Sequence, residues 1–438
     1  MRRKFAPFLP LFLFSAVLLH SGVAFAAENP MNIDTGDTAW LLVSTALVML
    51  MTPGLALFYG GMVRRKNVLS TLMHSFSAIA IVSIQWILIG YTLAFGPDIK
   101  GVIGNLDWAG LNGVGLMPNP QYAANVPHLA FMIYQAMFAV ITPALISGAF
   151  AERMKFSTYI VFTLLWTTLV YDPVAHWVWG VGGWMKDMGV LDFAGGIVVH
   201  ATSGFSALAA ALFIGRRKGF LKEPMPPHNL PMTVIGAGLL WFGWFGFNAG
   251  SALSSGQLST LAFVTTHAAA VSATLTWVVI EWRHRGKPTV FGAITGSIAG
   301  LATITPAAGF VSPIAALAIG VIAGACCYIA LNAKSVLGYD DALDAFGVHG
   351  IGGTIGTICV GLFASLLINP AGANGLLYGN LKQLYTQIGA VAVVAAYSFV
   401  ASLIILKLVD AVMGLRVEDG HEETGLDLSL HGERGYYL

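Results

Sequence analysis

The sequence predicts an all-α polytopic membrane protein. It reads as eleven transmembrane helices, an inverted 5+5 repeat plus one long C-terminal helix, with the N-terminus outside and the C-terminus inside. Three observations predict this. First, 56% of the 438 residues are hydrophobic, 10% are charged and the mean hydropathy is +0.75, where a soluble domain carries about 25% charged residues. Second, apolar runs of roughly 20 residues, the length a helical span needs, recur along the chain. Third, two short segments five spans apart repeat one another. A net charge of +1 offers no basic surface to a nucleic acid. Cys326, Cys327 and Cys359 all lie in apolar runs, which suits free buried thiols rather than disulfides or a zinc site.

The first element stands apart from the fold. Arg2, Arg3 and Lys4 precede an apolar segment from Phe8 to Leu19, and Ala24-Phe25-Ala26 follows as an A-x-A signature. Residues 1–26 therefore read as a cleavable signal peptide, which delivers the following chain to the outer face of a bacterial inner membrane. Residues 27–414 form the membrane domain and residues 415–438 a cytoplasmic tail. The expected spans are 38–62, 68–95, 127–150, 156–178, 194–214, 231–253, 259–281, 290–307, 311–331, 346–368 and 384–414.

Basic residues test the count. With the N-terminus outside, the inner connections carry Arg64, Arg65, Lys66, Arg153, Lys155, Arg216, Arg217, Lys218, Lys222, Arg283, Arg285, Lys287 and Lys334. The outer connections carry only Lys100, Lys186 and Lys382.

The repeat lies in Asp192-Phe-Ala-Gly-Gly-Ile-Val-Val-His200 and Asp341-Ala-Leu-Asp-Ala-Phe-Gly-Val-His349. Each opens a span with Asp, and each places His eight positions later behind a Val. An odd number of spans per repeat inverts one half relative to the other. Eight helical residues rise about 12 Å, against a hydrocarbon core of about 30 Å. With each Asp at its own interface, the two histidines approach mid-membrane from opposite sides, about 6 Å apart in depth by the same rise.

Ionisable groups within spans are costly. His74, His128, His176, His200, His267 and His349 fall in or beside spans. A lone one is most often a packing residue, but symmetry singles out His200 and His349, which can share a proton as an uncharged polar strip. Asp172 is the carboxylate nearest a span interior. Asp192, Asp340, Asp341 and Asp344 suit helix capping. Paired glycines such as Gly352-Gly353 read as close-packing sites. Trp177, Trp179, Phe138 and the run Trp241 to Ser251, which includes Trp244 and Phe247, fit either an interfacial aromatic belt or a cage for a small cation. No catalytic constellation, metal site or cofactor motif is expected.

Four motifs then carry a resemblance: Gly54-Leu-Ala-Leu-Phe-Tyr-Gly-Gly61, the Asp192–His200 segment, Gly243-Trp-Phe-Gly-Phe-Asn-Ala-Gly-Ser251 and Asp344-Ala-Phe-Gly-Val-His-Gly350. Together they resemble the ammonium transporter family (Amt/Mep/Rh) over nearly the whole mature chain. The resemblance implies a homotrimer with one pore per subunit. It implies recruitment of NH4+ at Trp179, Ser251 and Phe138, with methylammonium as an analogue, a gate of Phe138 over Phe247, and twin pore histidines His200 and His349. Asp192 matches the family's aspartate, and Tyr134, Trp244 and Asp341 border these positions. It further implies deprotonation near the gate, passage of NH3, and separate travel of the proton through the histidine pair. The tail motifs Gly414 to Val417, Gly425-Leu-Asp427 and His431-Gly-Glu433 resemble the family's docking region for a P-II-type signal protein. Rival readings are a sensor with little flux, a metal enzyme at the two histidines, which lacks a third ligand, and a channel for another small cation or gas.

Overall fold

The computed structural model describes residues 33–436, so the expected signal peptide lies outside the described residues. The helices are numbered in chain order. Helix α1 is Thr35–Met62, and its N-cap Asp34 accepts the N–H of Asp37 at 2.8 Å. Helix α2 runs through Val68–Gln85, a π turn Trp86–Gly90 and Tyr91–Phe95. Helix α3 is His128–Phe150, with Pro143 inside it. Helix α4 passes through Phe156–Trp166, a π turn Thr167–Tyr171 and Asp172–Trp179. Helix α5 opens on the π turn Gly196–Ala201 and continues as Thr202–Ile214. Then follow α6 (Leu230–Ala249), α7 (Gln257–Arg285), α8 (Val290–Ile304) and α9 (Pro313–Leu337). Helix α10 begins with the π turn Phe346–Gly350 and continues as Ile351–Phe363, and α11 is Leu381–Met413. The tail folds as two short helices, α12 (Asp419–Thr424) and α13 (Leu426–His431). Between α2 and α3 lie two antiparallel hairpins, Asp98–Ile99 with Ile103–Gly104 and Pro118–Asn119 with Ala123–Pro127.

Among the described residues, ten helices are long and apolar enough to cross a membrane. The expected eighth span, 290–307, is shorter: α8 has 15 residues, a rise of about 22 Å. It ends before Pro306, which has no N–H to return to the preceding turn. The carbonyl of Pro306 accepts the N–H of Phe193 instead, at 3.1 Å. The expected tenth span, 346–368, also stops early, at Phe363. Helix α11, with 33 residues, is about 50 Å long and exceeds the hydrocarbon core.

The surface is apolar and the interior holds polar groups. Val412, Leu275, Ile329 and Phe242 are exposed, whereas Thr142, Ser206, Asn248 and Gln387 are fully buried. That distribution suits a lipid solvent. Helices α1 and α6 pack through glycines: a Cβ on Gly236 would lie 2.2 Å from the backbone N of Phe58. Helices α5 and α10 approach as closely, because a Cβ on Gly204 would lie 2.1 Å from the N of Gly350.

At the tail end, charged groups tie the connections together. Arg217 binds Asp340 with Nη2–Oδ1 at 2.8 Å and Glu152 with Nη1–Oε2 at 3.2 Å, and Arg64 Nε donates to Glu152 at 2.9 Å. Asp427 accepts the N–H of Ser70 at 2.8 Å, and Arg416 pairs with Glu422 at 2.7 Å. The tail therefore lies against the same connections.

Candidate functional site

Two aspartates set up the site. Asp192 Oδ1 accepts the N–H groups of Gly195 (2.9 Å) and Gly196 (2.6 Å), and Oδ2 those of Ile197 (2.8 Å) and Val198 (3.1 Å). Asp341 does the same for α10, with Oδ1 to Ala345 N at 3.1 Å and Oδ2 to Phe346 N at 2.8 Å. Each carboxylate satisfies N–H groups that a helix start leaves orphaned and faces the positive end of the helix dipole. Burial lifts the Asp341 carboxyl to about 6, against the pull of Lys334. Each capped turn is π-helical and carries a histidine, His200 or His349. Such turns re-aim side chains and recur at functional sites. The two caps lie at opposite ends of α3. Asp192 shares a cavity with Phe131 and Phe138, whereas Ala342 and Leu343, beside Asp341, bond to the carbonyls of Ala149 (3.3 Å) and Gly148 (3.0 Å).

The two imidazoles meet. Their centroids are 5.2 Å apart with planes at 16°, and the two Nδ1 atoms are 3.3 Å apart. One hydrogen joins the two nitrogens, since one must donate and the other accept. His200 Nε2 is buried without a protein partner. Both rings border a cavity of about 10 Å³ walled by Leu55, Ile141, Val199 and Phe247, room for about one water-sized molecule.

Aromatic rings continue the column. Phe247 stacks on His200 at 5.9 Å and 24°, and Phe138 contacts Phe247 at 4.3 Å. Trp179 meets Phe138 edge-on at 5.9 Å and 87°. The indole of Trp179 is fixed by its N–H, which donates to Asp192 O at 2.9 Å. Above Phe138 a vestibule of about 170 Å³ is lined by Trp179, Asp192 and Ser251. Ser251 Oγ donates to Phe247 O at 2.9 Å, so its remaining lone pairs can accept from a ligand. Tyr134 OH lies 2.9 Å from the carbonyls of Gly246 and Phe247 and 3.2 Å from Ser251 Oγ.

The structure thus brings Phe138, Trp179, Asp192, His200, Phe247, Ser251 and His349 into one column, with Tyr134 beside it. Trp244 flanks His200, ring to ring, at 5.4 Å and 25°. Asp341 stands apart, at the far end, as the cap of α10. One neighbour escaped sequence reasoning. Trp244 Nε1 donates to Thr305 Oγ1 at 2.9 Å, so Thr305 orients the ring that packs on His200. The only signal for it in the sequence was a Thr beside Pro306 at the end of an apolar run. Among the described residues, no group of three or more His, Cys, Asp or Glu could hold a metal ion.

Comparison with known proteins agrees with this architecture. The model of the Ammonium Transporter Family matches residues 39–436. The chain is 53% identical to an ammonium transporter of Bacillus subtilis over 402 residues, covering 92% of this chain and 98% of that protein. It is 49% identical to ammonium transporter Amt1 of Archaeoglobus fulgidus over 401 residues, covering 92% and 99%. The fold is similar to the crystal structure of Saccharomyces cerevisiae Mep2, with a TM-score of 0.85, 37% identity and 89% of each chain covered. It is also similar to a structure described as a sensor Amt protein, with a TM-score of 0.82, 30% identity and coverage of 90% and 98%.

Proposed function

Because the chain belongs to the Ammonium Transporter Family, we propose that it carries ammonium across the membrane through the column from Trp179 to His349. The observation that carries this reading is the unbroken contact Trp179–Phe138–Phe247–His200–His349. NH4+ is held in the vestibule, where the faces of Trp179 and Phe138 attract it by about 1–2 kcal/mol each and Ser251 accepts one of its N–H bonds. Asp192 favours the cation through space while its own oxygens remain committed to the helix start.

Below Phe138 a bare cation has no path, since burying an unpaired charge costs on the order of tens of kcal/mol. NH4+ gives up a proton at the gate, Phe138 and Phe247 swing aside, and NH3 passes along the imidazoles. The proton travels separately through the His200–His349 contact, which makes transport electrogenic. K+ has no proton to yield and is refused.

Several observations support the wider reading. The vestibule faces outward and the tail inward, by the bias of basic residues. The matched caps on α5 and α10 support inverted halves. Residues 1–26 act as a signal peptide, and α8 with its turn completes an eleventh crossing of a bacterial inner membrane. Exposed apolar faces leave surface for lipid and for a homotrimer. The folded tail over the charged connections suits docking of a P-II-type signal protein. A tail-truncated variant that captures such a protein undiminished argues against that role.

The test is solid-supported membrane electrophysiology on proteoliposomes. Ammonium pulses evoke current in the wild type and none in the His200→Ala, His349→Ala double variant; persisting current removes the proton relay. The likeness to a sensor Amt protein favours one second reading, a sensor with little flux. Methylammonium uptake well above empty liposomes rejects it.

A further inference from the structure

We propose that Gln387, on α11, is a positioning residue for the ammonium vestibule: its carboxamide locks the backbone at Leu191, and so Asp192, onto the helix that carries His349. Gln387 touches neither the vestibule nor the pore, and it is fully buried. Its side chain bonds both polar groups of Leu191, with Leu191 N to Oε1 at 2.8 Å and Nε2 to Leu191 O at 2.7 Å. This is the pairing that a neighbouring strand would make, supplied by one side chain. Because a backbone N–H can only donate, Oε1 must face Leu191 N, and the orientation of the amide is fixed.

The rest of the amide is used as well. Nε2 reaches Thr357 O on α10 at 3.4 Å, and Oε1 accepts from Gln383 Nε2 at 3.2 Å. Gln383 in turn donates to Gly189 O at 3.0 Å. Two donors and two acceptors are thus filled, the full capacity of a carboxamide. Gly189 N and Val190 N bond to the carbonyls of Lys186 and Met185 (2.9 and 3.0 Å), so it is Leu191 N, Leu191 O and Gly189 O that the two glutamines satisfy. The segment 189–191 ends at Asp192, whose carbonyl holds the Trp179 indole and whose carboxylate caps the turn of His200. Gln387 therefore joins three things that must keep register: the loop before the cap, the cap itself through the next peptide, and α10. A group in that place tunes how the vestibule is set without altering the groups that touch the cation.

The inference rests on the transport reading, and the experiment separates the two. The full chain is reconstituted in liposomes, and ammonium-evoked current is measured against ammonium concentration. Gln387→Met keeps the volume and removes all four bonds. The expected result is a half-saturating concentration raised about tenfold, equivalent to ~1.4 kcal/mol, with maximal current within about twofold of wild type, because the gate and histidines are untouched. Gln387→Glu, kept as the neutral acid by burial, accepts from Leu191 N and donates its O–H to Leu191 O, and is expected to recover part of the lost apparent affinity. An unchanged half-saturation in Gln387→Met overturns the proposal. So does a fall in maximal current alone, which marks a merely structural role. If Gln387→Met fails to reconstitute, Gln383→Met decides. That variant removes the brace and leaves the Leu191 pair, and a rise of about threefold is expected, while wild-type behaviour overturns the proposal. Absence of ammonium-evoked current in the wild type overturns the transport reading instead.

Discussion

At Asp192, two oxygens serve four N–H groups. Removing such an acceptor leaves several buried donors unpaired, each costing about 1–3 kcal/mol. Asp192→Ala is therefore expected to abolish ammonium current and to lower the unfolding temperature in detergent markedly. Asp192→Asn keeps one acceptor oxygen and should fall between the two in stability, and an Asn variant no more stable than Ala would refute the capping account. At this scale the sequence was partly legible. The spacing from Asp to His marked His200 and His349, because an eight-residue step on a helix is a fixed distance. Trp179, Phe138 and the run ending at Ser251 were marked as either an aromatic belt or a cation cage, two readings of the same composition, and only the resemblance chose the cage. Thr305 was legible only as a Thr beside Pro306, and Gln387 not at all. Their partners lie 61 and 196 residues away in the chain, and no local pattern encodes such a bond.

Among the elements, the helices followed hydropathy closely, while the π turns did not announce themselves. The π turns that open α5 and α10 lie on N–H groups captured by Asp192 and Asp341, a matter of tertiary position rather than propensity, whereas those inside α2 and α4 have no such cap. The early end of α8 was readable in principle at Pro306, but an apolar run conceals it. The close approach of α5 and α10 gives a sharp test. A Cβ on Gly204 would meet the backbone of Gly350 at 2.1 Å, and backbone cannot turn aside as a side chain can. Gly204→Ala should separate the two helices and destabilise the protein by about 3 kcal/mol or more, seen as a large fall in unfolding temperature. A variant with wild-type stability and current would show that the two helices are free to part.

Across the whole molecule, the tail end and the vestibule end are held by different physics. At the tail end, burial would lift the carboxyls of Glu152 and Asp340, but Arg217, aided by Arg64 and Arg153, holds both below their ordinary values. A carboxyl depressed in the folded state stabilises the fold fully above its unfolded value, about 4. That stability is lost as pH falls through the lower folded value. The unfolding temperature should thus rise slightly as Asp341, lifted to about 6, takes up its proton, and then decline below about pH 4 as Glu152 and Asp340 take up theirs. In Arg217→Met it should start lower and decline less. An equal slope in both proteins would dissociate the network from acid sensitivity.

Helix α3 connects the two ends, and Pro143 divides it. Lacking an N–H, Pro143 leaves the carbonyl of Ala139 without its usual helical partner, while Thr142 Oγ1 covers the neighbouring carbonyl of Phe138 at 2.6 Å. Bending at that point breaks no helical hydrogen bond to Ala139. The half beyond the proline stays pinned, because Gly148 and Ala149 hold the loop before α10. Phe138 thus lies on the vestibule side of the missing bond, where Tyr134 ties α3 to α6, and the other side is joined to the support of His349. A displacement of the ring therefore reaches the imidazoles through Phe247 rather than along the backbone of α3.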